Sequence, residues 1–297
     1  MLERFDPEEG TTILAPDAPG PGNWVGCPSV LYDDEGGRIL LTYRRRRPRG
    51  GPLPDRGFEC AIAESADGVR FTDLWRVTKD AFSTTSMERF NLQRGPGGSW
   101  LLYVSYEHPD DGHWRIDVLE AEAPDAFVPA AARTVLTPAG TGTNAVKDPY
   151  VVRVGPEYRM YVSTFLTASG PAPTSLAVSR DGLSYRWLGE VLGVGTGWDR
   201  YQTRISGILR SGGSWLGLYD GAASAAEDTE ERLGLAISAD GLRWERVSVE
   251  EPWLVVPHAS GSLRYADVLQ LEGRFWIYYE VARADGSHEL RLSRIPV

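Results

Sequence analysis

Acidic, basic and aromatic side chains recur in this sequence at the points where apolar, strand-like runs begin. In the segment NAVKDPYVVRV, residues 144–154, Lys147 and Asp148 stand directly before a run with the composition of a buried strand. Asp148 is therefore either a polar residue that starts the strand or a carboxylate directed into a pocket. Opposed carboxylates can cleave a glycosidic bond, one as a protonated acid and the other as a base or nucleophile.

The charged and aromatic side chains at these strand starts suit a small polyhydroxylated or anionic ligand. Carboxylates and guanidinium groups bond hydroxyls or acids, and aromatic rings stack on the C–H faces of sugars. We take Asp148, Glu88 and Asp267 as candidate acid/base residues, in that order. Arginines in such a site hold substrate or stabilise developing negative charge. The candidate substrate-binding residues are Arg89, Arg204, Arg264, Lys147, Trp24, Arg44, Asp220 and Glu280.

A repeat of about sixty residues determines where those side chains lie. The runs RILLTYR, SWLLYVSYE, YRMYVSTF, SWLGLYD and RFWIYYE have the β-branched and aromatic composition of equivalent strands. The segments SADGVRF, SRDGLSYRW and SADGLRW are copies of one tight Asp-Gly turn. Their aspartates, Asp67, Asp181 and Asp240, are spaced by about two periods and then one. A period of this length with four strands per repeat is typical of a β-propeller.

The sequence therefore predicts an all-β fold: a five-bladed β-propeller of four-stranded antiparallel blades, with residues 1–297 as a single domain. The innermost strands are expected to begin near Cys27, Arg89, Asp148, Arg204 and Arg264. The outer strands include RTVLTP and PWLVVP. The last blade lacks an outer strand of its own, and the N-terminal segment TTILAP resembles RTVLTP. We expect this segment to complete the last blade and close the ring, which removes exposed sheet edges.

Composition argues against several classes of partner. The net charge of −10 disfavours nucleic acid, because the phosphate backbone requires a basic face. No run approaches the roughly 18 apolar residues that span a bilayer, and the N-terminal residues do not resemble a signal peptide. Cys27 and Cys60 lack CxxC spacing and suggest free thiols, so we expect a cytoplasmic location. The four histidines are scattered, and we expect neither a metal nor a cofactor.

Three segments resemble the five-bladed propeller glycosidases, the superfamily of glycoside hydrolase families 43, 32, 62, 68 and 130. KDPYVV is similar to the start of the third blade in family 43, where the aspartate tunes the pKa of the acid and orients the substrate. GCPSVLYDDEGGRILLTYR and ISGILRSGGSWLGLYDGA look like the first and fourth blades of the mannoside-acting family 130. The resemblance covers essentially the whole chain and implies a carboxylate-dependent enzyme acting on glycosides.

The same resemblance implies that two catalytic positions have changed. Cys27 and Arg204 stand near the positions where family 43 has its base aspartate and its acid glutamate. The segment MERF retains Glu88 and Arg89 from the Glu-Asp-Pro-Arg motif of family 130. The added arginines suggest an anionic substrate, a phosphate co-substrate or a loss of hydrolysis. Three functions stay open: a glycosidase or phosphorylase acting on a small saccharide, a non-hydrolytic lyase or cyclase, and a carbohydrate-binding propeller without catalysis.

Overall fold

The computed structural model describes residues 2–211 and 213–297, and nearly all regular structure within them is β-strand. In this part of the chain the helices are one α-helix, Pro138–Thr141, and the 3-10 turns Pro7–Glu9, Lys79–Phe82, Pro96–Gly98 and Pro129–Ala131. The strands are β1 (Thr11–Leu14), β2 (Trp24–Asp33), β3 (Arg38–Arg47), β4 (Arg56–Ser65), β5 (Thr72–Thr78), β6 (Asn91–Arg94), β7 (Trp100–Glu107), β8 (Trp114–Ala121), β9 (Arg133–Leu136), β10 (Ala145–Val154), β11 (Glu157–Phe165), β12 (Thr174–Ser179), β13 (Arg186–Leu192), β14 (Gln202–Ser211), β15 (Ser214–Ala222), β16 (Arg232–Ser238), β17 (Glu245–Arg246), β18 (Leu263–Leu271), β19 (Arg274–Ala282) and β20 (His288–Pro296).

Most strand pairs join strands that are neighbours in sequence, and these pairs are antiparallel. Strands β6–β9, β10–β13 and β14–β17 each form a four-stranded sheet in chain order. The other eight strands form one sheet in the order β18-β19-β20-β2-β3-β4-β5, with β1 paired to β20. A single parallel pair, Trp24 with His288, joins the two halves of this sheet. The all-β architecture and the four-stranded sheets predicted from the repeat are therefore present.

The N-terminal strand pairs with a strand from the far end of the chain. β1 runs antiparallel to β20, with Thr11 opposite Leu292, which is the neighbour that the sequence predicts for this segment. Phe5, just before β1, packs against Trp253 and Tyr279 with ring centroids 5.8 and 5.6 Å away. The first residues of the chain thus share the apolar core of residues more than two hundred positions later.

The prediction of an outer strand at PWLVVP, residues 252–257, is wrong. The outer strand of the β14–β17 sheet is Glu245–Arg246, and Leu254 contributes only an isolated bridge to Leu233. The prolines at both ends of this segment have no N–H to donate, so a continuous ladder cannot extend through them.

Apolar clusters fill the spaces between successive sheets, and tyrosines extend from them to the repeated turns. Each Asp-Gly turn accepts a hydrogen bond from a tyrosine outside the two strands that it connects: Tyr278 donates to Gly68 O at 2.9 Å, Tyr103 to Gly182 O at 2.9 Å, and Tyr161 to Gly241 O at 2.6 Å. These glycines have φ of 68°, 73° and 74°, a backbone region that residues with a Cβ rarely adopt. The repeated turn therefore holds one group of strands against another, in addition to connecting two strands.

Candidate active site

Charged side chains from the first and second strands of the sheets meet in the interior of the molecule. The strands β2, β10, β14 and β18 each shift register against their partners near this region. Cys27, Asp148 and Tyr265 lie at three of these shifts, with φ of 58°, 57° and 52°. A positive φ is uncommon for residues that carry a side chain, and here it brings the three side chains close together.

The structure brings the sequence-predicted site residues into this one region. None of them exposes more than 9% of its surface: Asp148, Glu88, Asp267, Arg89, Arg204, Arg264, Lys147, Trp24, Arg44, Asp220 and Glu280. Their burial means that each charge needs a partner, because an unpaired ion in a protein interior is very costly.

Seven of the charged residues form an alternating chain of ion pairs that begins at Glu88 and ends at Asp148; we call it the charge chain. Arg44 pairs with Glu88 through Nη1, and its Nη2 lies 3.5 Å from Glu280 Oε2. Glu280 Oε1 in turn lies 2.7 Å from Arg264 Nη2. This first half of the charge chain connects β3, β19 and β18 to the segment before β6.

The second half of the charge chain passes through Glu231, in the loop between β15 and β16. Glu231 lies 2.7 Å from Arg264 Nη1 and 2.9 Å from Arg204 Nη2. Arg204 Nη1 then reaches Asp148 Oδ2 at 3.0 Å, and its Nη2 lies 2.9 Å from Asp220 Oδ2. Arg204 therefore serves three buried carboxylates.

Burial and these pairs together set the protonation of the carboxylates. Burial raises the pKa of Asp148, but Lys147 and Arg204 outweigh it and hold that pKa below its usual value. Burial is likewise outweighed at Glu231, where Arg204 and Arg264 lower the pKa to about 2. At Asp220 burial dominates and raises the pKa to about 6, since Arg204 is already shared with Glu231. Asp148 and Glu231 are consequently anionic at neutral pH.

The two ends of the charge chain face one another. One carboxylate oxygen of Glu88, one of Asp148 and the Sγ of Cys27 all lie within 4.8 Å of each other. Burial raises the pKa of the Cys27 thiol to about 11, so the thiol is neutral at pH 7. The centre of the site is therefore a pair of carboxylates with an uncharged thiol beside them.

Asp267 and Arg89 lie in the same region, and their bonding partners are residues of the inner strands. Asp267 Oδ2 accepts hydrogen bonds from Val30 N at 2.8 Å and from Ser29 Oγ at 3.2 Å. Arg89 Nη2 lies 3.5 Å from that carboxylate and donates to backbone carbonyls of β2 and β14 at 2.9 and 2.8 Å. Burial raises the pKa of Asp267. This pair connects three inner strands.

Three charged side chains of the site are partly exposed to solvent, and we call the region around them the opening. The side chains of Arg46, Lys147 and Glu88 are exposed there by 15%, 11% and 7%. Aromatic rings lie beside the two cations: the Arg46 guanidinium is 4.7 Å from the Trp24 ring, and Lys147 Nζ is 5.2 Å from the Trp114 ring. The opening therefore offers a ligand a carboxylate, two cations and flat apolar faces.

Four residues of the site were not identified from the sequence. Arg46 belongs to a run of arginines, and the repeat alone does not say which of them face inward. Asp228 and Glu231 lie in the acidic loop between β15 and β16, which has no regular periodicity from which direction can be deduced. His288, at the start of β20, stacks on Trp24 with ring centroids 4.4 Å apart.

His288 and Asp228 extend the charged network beyond the charge chain. The His288 ring nitrogens lie 2.8 Å from Glu280 Oε1 and 3.1 Å from Glu230 Oε2. Burial raises the pKa of Asp228; Lys147 opposes that shift. Asp228 is only half-buried and therefore differs from the sealed carboxyl groups deeper in the site.

The trio Cys27, Glu88 and Asp148 has donor atoms close enough together to be considered for a metal ion. Its surroundings do not suit one, because a cationic partner already binds each carboxylate: Arg44 at Glu88 and Arg204 at Asp148. A metal would also have to remove the proton from a thiol whose pKa is raised to about 11.

Comparison with known proteins gives information on the fold. No protein-family model and no curated protein sequence matches this chain. Among solved structures, the β-1,2-mannobiose phosphorylase from Listeria innocua is similar with a TM-score of 0.68 and 16% identity, over 96% of this chain and 94% of that one. The RS223 β-xylosidase has a TM-score of 0.66 and 11% identity, over 97% and 95%. A GH43_1 enzyme from Xanthomonas citri has a TM-score of 0.64 and 14% identity, over 96% and 90%.

The fold is that of the propeller glycoside hydrolases. The resemblance carried by KDPYVV and by the first-blade and fourth-blade segments is thus confirmed at the level of the fold. Identities this low show the fold alone, so the reaction has to be argued from the site. In the described part of the chain, no helix is long and apolar enough to cross a membrane.

Within this propeller glycosidase fold, the carboxylates of the site come from segments other than the two where the resemblance to family 43 implies a base and an acid. Cys27 is a buried neutral thiol, and Arg204 binds three carboxylates. Glu88 reaches the centre from the segment before β6, and the β15–β16 loop contributes Glu231.

Proposed function

We propose that this protein acts on glycosides, as a hydrolase or a phosphorylase, with Glu88 and Asp148 as the carboxylates at its reactive centre. Their separation carries the proposal, because an oxygen of each lies within 4.8 Å of an oxygen of the other. Glycosidic bond cleavage passes through an oxocarbenium-ion-like transition state, and two carboxylates this close can stabilise its positive charge together.

Access distinguishes the roles of the two carboxylates. Glu88 lies at the opening, where its partly exposed side chain is available to a bound sugar. Asp148 is fully buried and held anionic by Lys147 and Arg204. We therefore assign direct contact with the reacting sugar to Glu88, and stabilisation of the positively charged transition state to Asp148.

Asp228 has the properties of a proton donor for this reaction. A general acid that works near neutral pH needs a raised pKa and contact with the leaving group. Asp220, Asp228 and Asp267 all have raised pKa values, but Asp220 and Asp267 are sealed in the interior. Asp228 is half-buried and lies near Lys147 at the opening. Asp267, the third acid/base candidate from the sequence, ranks below it.

The proposed substrate is a small saccharide or glycoconjugate, including one that carries an anionic group. Trp24 and Trp114 offer rings for stacking, and Arg46 and Lys147 offer positive charge. The arginines Arg89, Arg204 and Arg264 are buried, and each holds carboxylates of the site in place. The unpaired buried thiols are consistent with the cytoplasmic location expected from the sequence.

We also propose that the scaffold has five blades in a closed ring. The halves β18–β20 with β1, and β2–β5, would then be two blades that touch through the Trp24–His288 pair. Support comes from the apolar clusters, one of which lies between each two successive groups of four strands, including the first and the last. A closed ring leaves no free edge at either end of the sheet series.

Turnover on a panel of aryl glycosides and disaccharides, with and without inorganic phosphate, tests the proposed activity. Asp148→Asn and Glu88→Gln should each lower kcat by at least about 100-fold, because each removes a charge used in the transition state. Glu120→Gln, an exposed change on β8 that also removes one carboxylate, serves as the control and should leave kcat unchanged. Turnover that persists in both site variants would disprove the assignment.

The product separates the proposed reaction from its alternatives. Free sugar identifies a hydrolase, and a sugar phosphate formed only with inorganic phosphate identifies a phosphorylase. An isomer or an eliminated product would instead favour a lyase or cyclase. Calorimetric binding of a saccharide without turnover of any glycoside would favour a carbohydrate-binding propeller.

A further inference from the structure

Arg46 differs from the other arginines of the site because solvent reaches it. It lies on β3, and its guanidinium is 4.7 Å from the ring of Trp24. Its nearest carboxylate oxygen is Glu88 Oε1 at 3.7 Å, which is longer than a hydrogen bond. The planar donor fork of Arg46 is therefore oriented by an aromatic ring and is still able to bond a planar or tetrahedral oxyanion.

A second arginine behind it has unused donors. Arg44 is 1% exposed and pairs with Glu88 through Nη1. Its Nε and Nη2 have no hydrogen-bond partner among residues 2–211 and 213–297. Both oxygens of the nearby Glu280 are already bonded, Oε1 by Arg264 and Oε2 by Cys27 N. The carboxylates around Arg44 thus leave part of its bonding capacity free.

Three guanidinium groups, those of Arg46, Arg44 and Arg264, lie close together here, beside the carboxylates of Glu88 and Glu280. Burial and the charges of Arg44 and Arg264 together lower the pKa of Arg46 to about 9. An anion bound at Arg46, the one of the three that solvent reaches, offsets the repulsion among the three cations.

We propose that Arg46, with the charge of Arg44 behind it and the Trp24 ring beside it, binds an oxyanion next to Glu88. The oxyanion is a carboxylate on the sugar or an inorganic phosphate, which share charge and acceptor geometry. The proposal rests on the proposed function only in placing the anion within a saccharide site. Arg46 is the specificity-determining residue, and a neutral sugar of the same shape binds more weakly.

Equilibrium binding of small probes tests this without any turnover. The probes for isothermal titration calorimetry are galacturonate against galactose, glucuronate against glucose, and inorganic phosphate. Arg46→Gln should weaken binding of the preferred anion by about 10- to 100-fold, the range for loss of a charge-assisted bond. Arg45→Gln is the matched control: Arg45 is the next residue on β3, has similar exposure, and pairs with Asp17 and Glu59 instead.

The outcomes separate the two sources of the anion and the two proposals. Preference for a uronate over its neutral sugar, lost in Arg46→Gln alone, supports a sugar carboxylate; binding of phosphate with the same loss supports a co-substrate. The inference is overturned if neither anion binds the wild type, if uronate and neutral sugar bind equally, or if Arg45→Gln weakens binding as much as Arg46→Gln. Anion binding that survives while Asp148→Asn retains turnover would overturn the catalytic assignment alone.

Discussion

Replacing Arg204 by methionine, which has no charge, should reveal how far the site depends on its buried ion pairs. Arg204 lies 3.0 Å from Asp148, 2.9 Å from Asp220 and 2.9 Å from Glu231, and all four side chains are at most 1% exposed. The substitution leaves three carboxylates in the interior with fewer cations to compensate them. Removing one partner of a buried ion pair costs about 3–5 kcal/mol, and we expect Arg204→Met to lower the free energy of unfolding by that amount near pH 7.

The same substitution should change the pH dependence of stability. In the wild type Asp148 and Glu231 have pKa values below their usual range, so their ion pairs stabilise the fold above about pH 4, and this contribution is lost as the pH falls through the lowered values. Without Arg204 burial dominates, and the pKa values of both groups rise. The folded variant then takes up protons on acidification, so its deficit relative to the wild type should shrink between about pH 7.5 and pH 5.5.

Urea denaturation followed by tryptophan fluorescence at both pH values measures this deficit. Arg210→Met is the control, because Arg210 is an exposed residue on the same strand, β14. It should lower the free energy of unfolding by about 1 kcal/mol or less at either pH, since its main contact is a cation–π interaction with Trp215. A deficit below about 1 kcal/mol for Arg204→Met, or one that does not change with pH, would refute the reasoning.

Two further predictions concern the scaffold. Gly182→Ala puts a Cβ 2.4 Å from Leu101 Cδ1 at a φ of 73°, so it should lower the melting temperature more than Gly155→Ala, where φ is 59° and no atom lies within 4 Å of the new Cβ. An equal effect of the two would show that the backbone strain matters and the contact does not. Starting the chain at Ala15 removes β1 and exposes the edge of β20, so thermal unfolding should occur at lower temperature and light scattering should increase. Unchanged melting and scattering would contradict a stabilising role for β1.

The sequence predicts the strands better than the site, for a physical reason. The repeated Asp-Gly turns and the aromatic second strands carry their own local signals, and the tyrosine bonds to Gly68, Gly182 and Gly241 are a consequence of the same repeat. PWLVVP has the composition of a strand, but its flanking prolines and the single bridge at Leu254 end the ladder. Composition predicts that such a segment is buried and does not predict its pairing.

The site depends on directions that the repeat does not encode. Asp148, Arg204 and Arg264 could be predicted as site residues because they lie near the starts of inner strands. The acidic loop before β16 contains several carboxylates, and only the folded loop shows that Glu231 turns inward to two arginines. Arg46 belongs to a run of four arginines, and the sequence does not show which of them face the site. Two of the four, Arg45 and Arg47, bind Asp17 at the surface.

The charge chain constrains how this protein can vary. Each arginine in it, Arg44, Arg264 and Arg204, is shared by carboxylates from different segments of the chain, so losing any one link leaves a neighbour uncompensated. Substitutions at adjacent links should therefore be strongly non-additive, with a neutral pair tolerated better than either single change. Among descendants of this sequence, a change at one link should be retained mainly when it follows or precedes a compensating change at the next. The history of the site would then be recorded as linked pairs of substitutions along the charge chain.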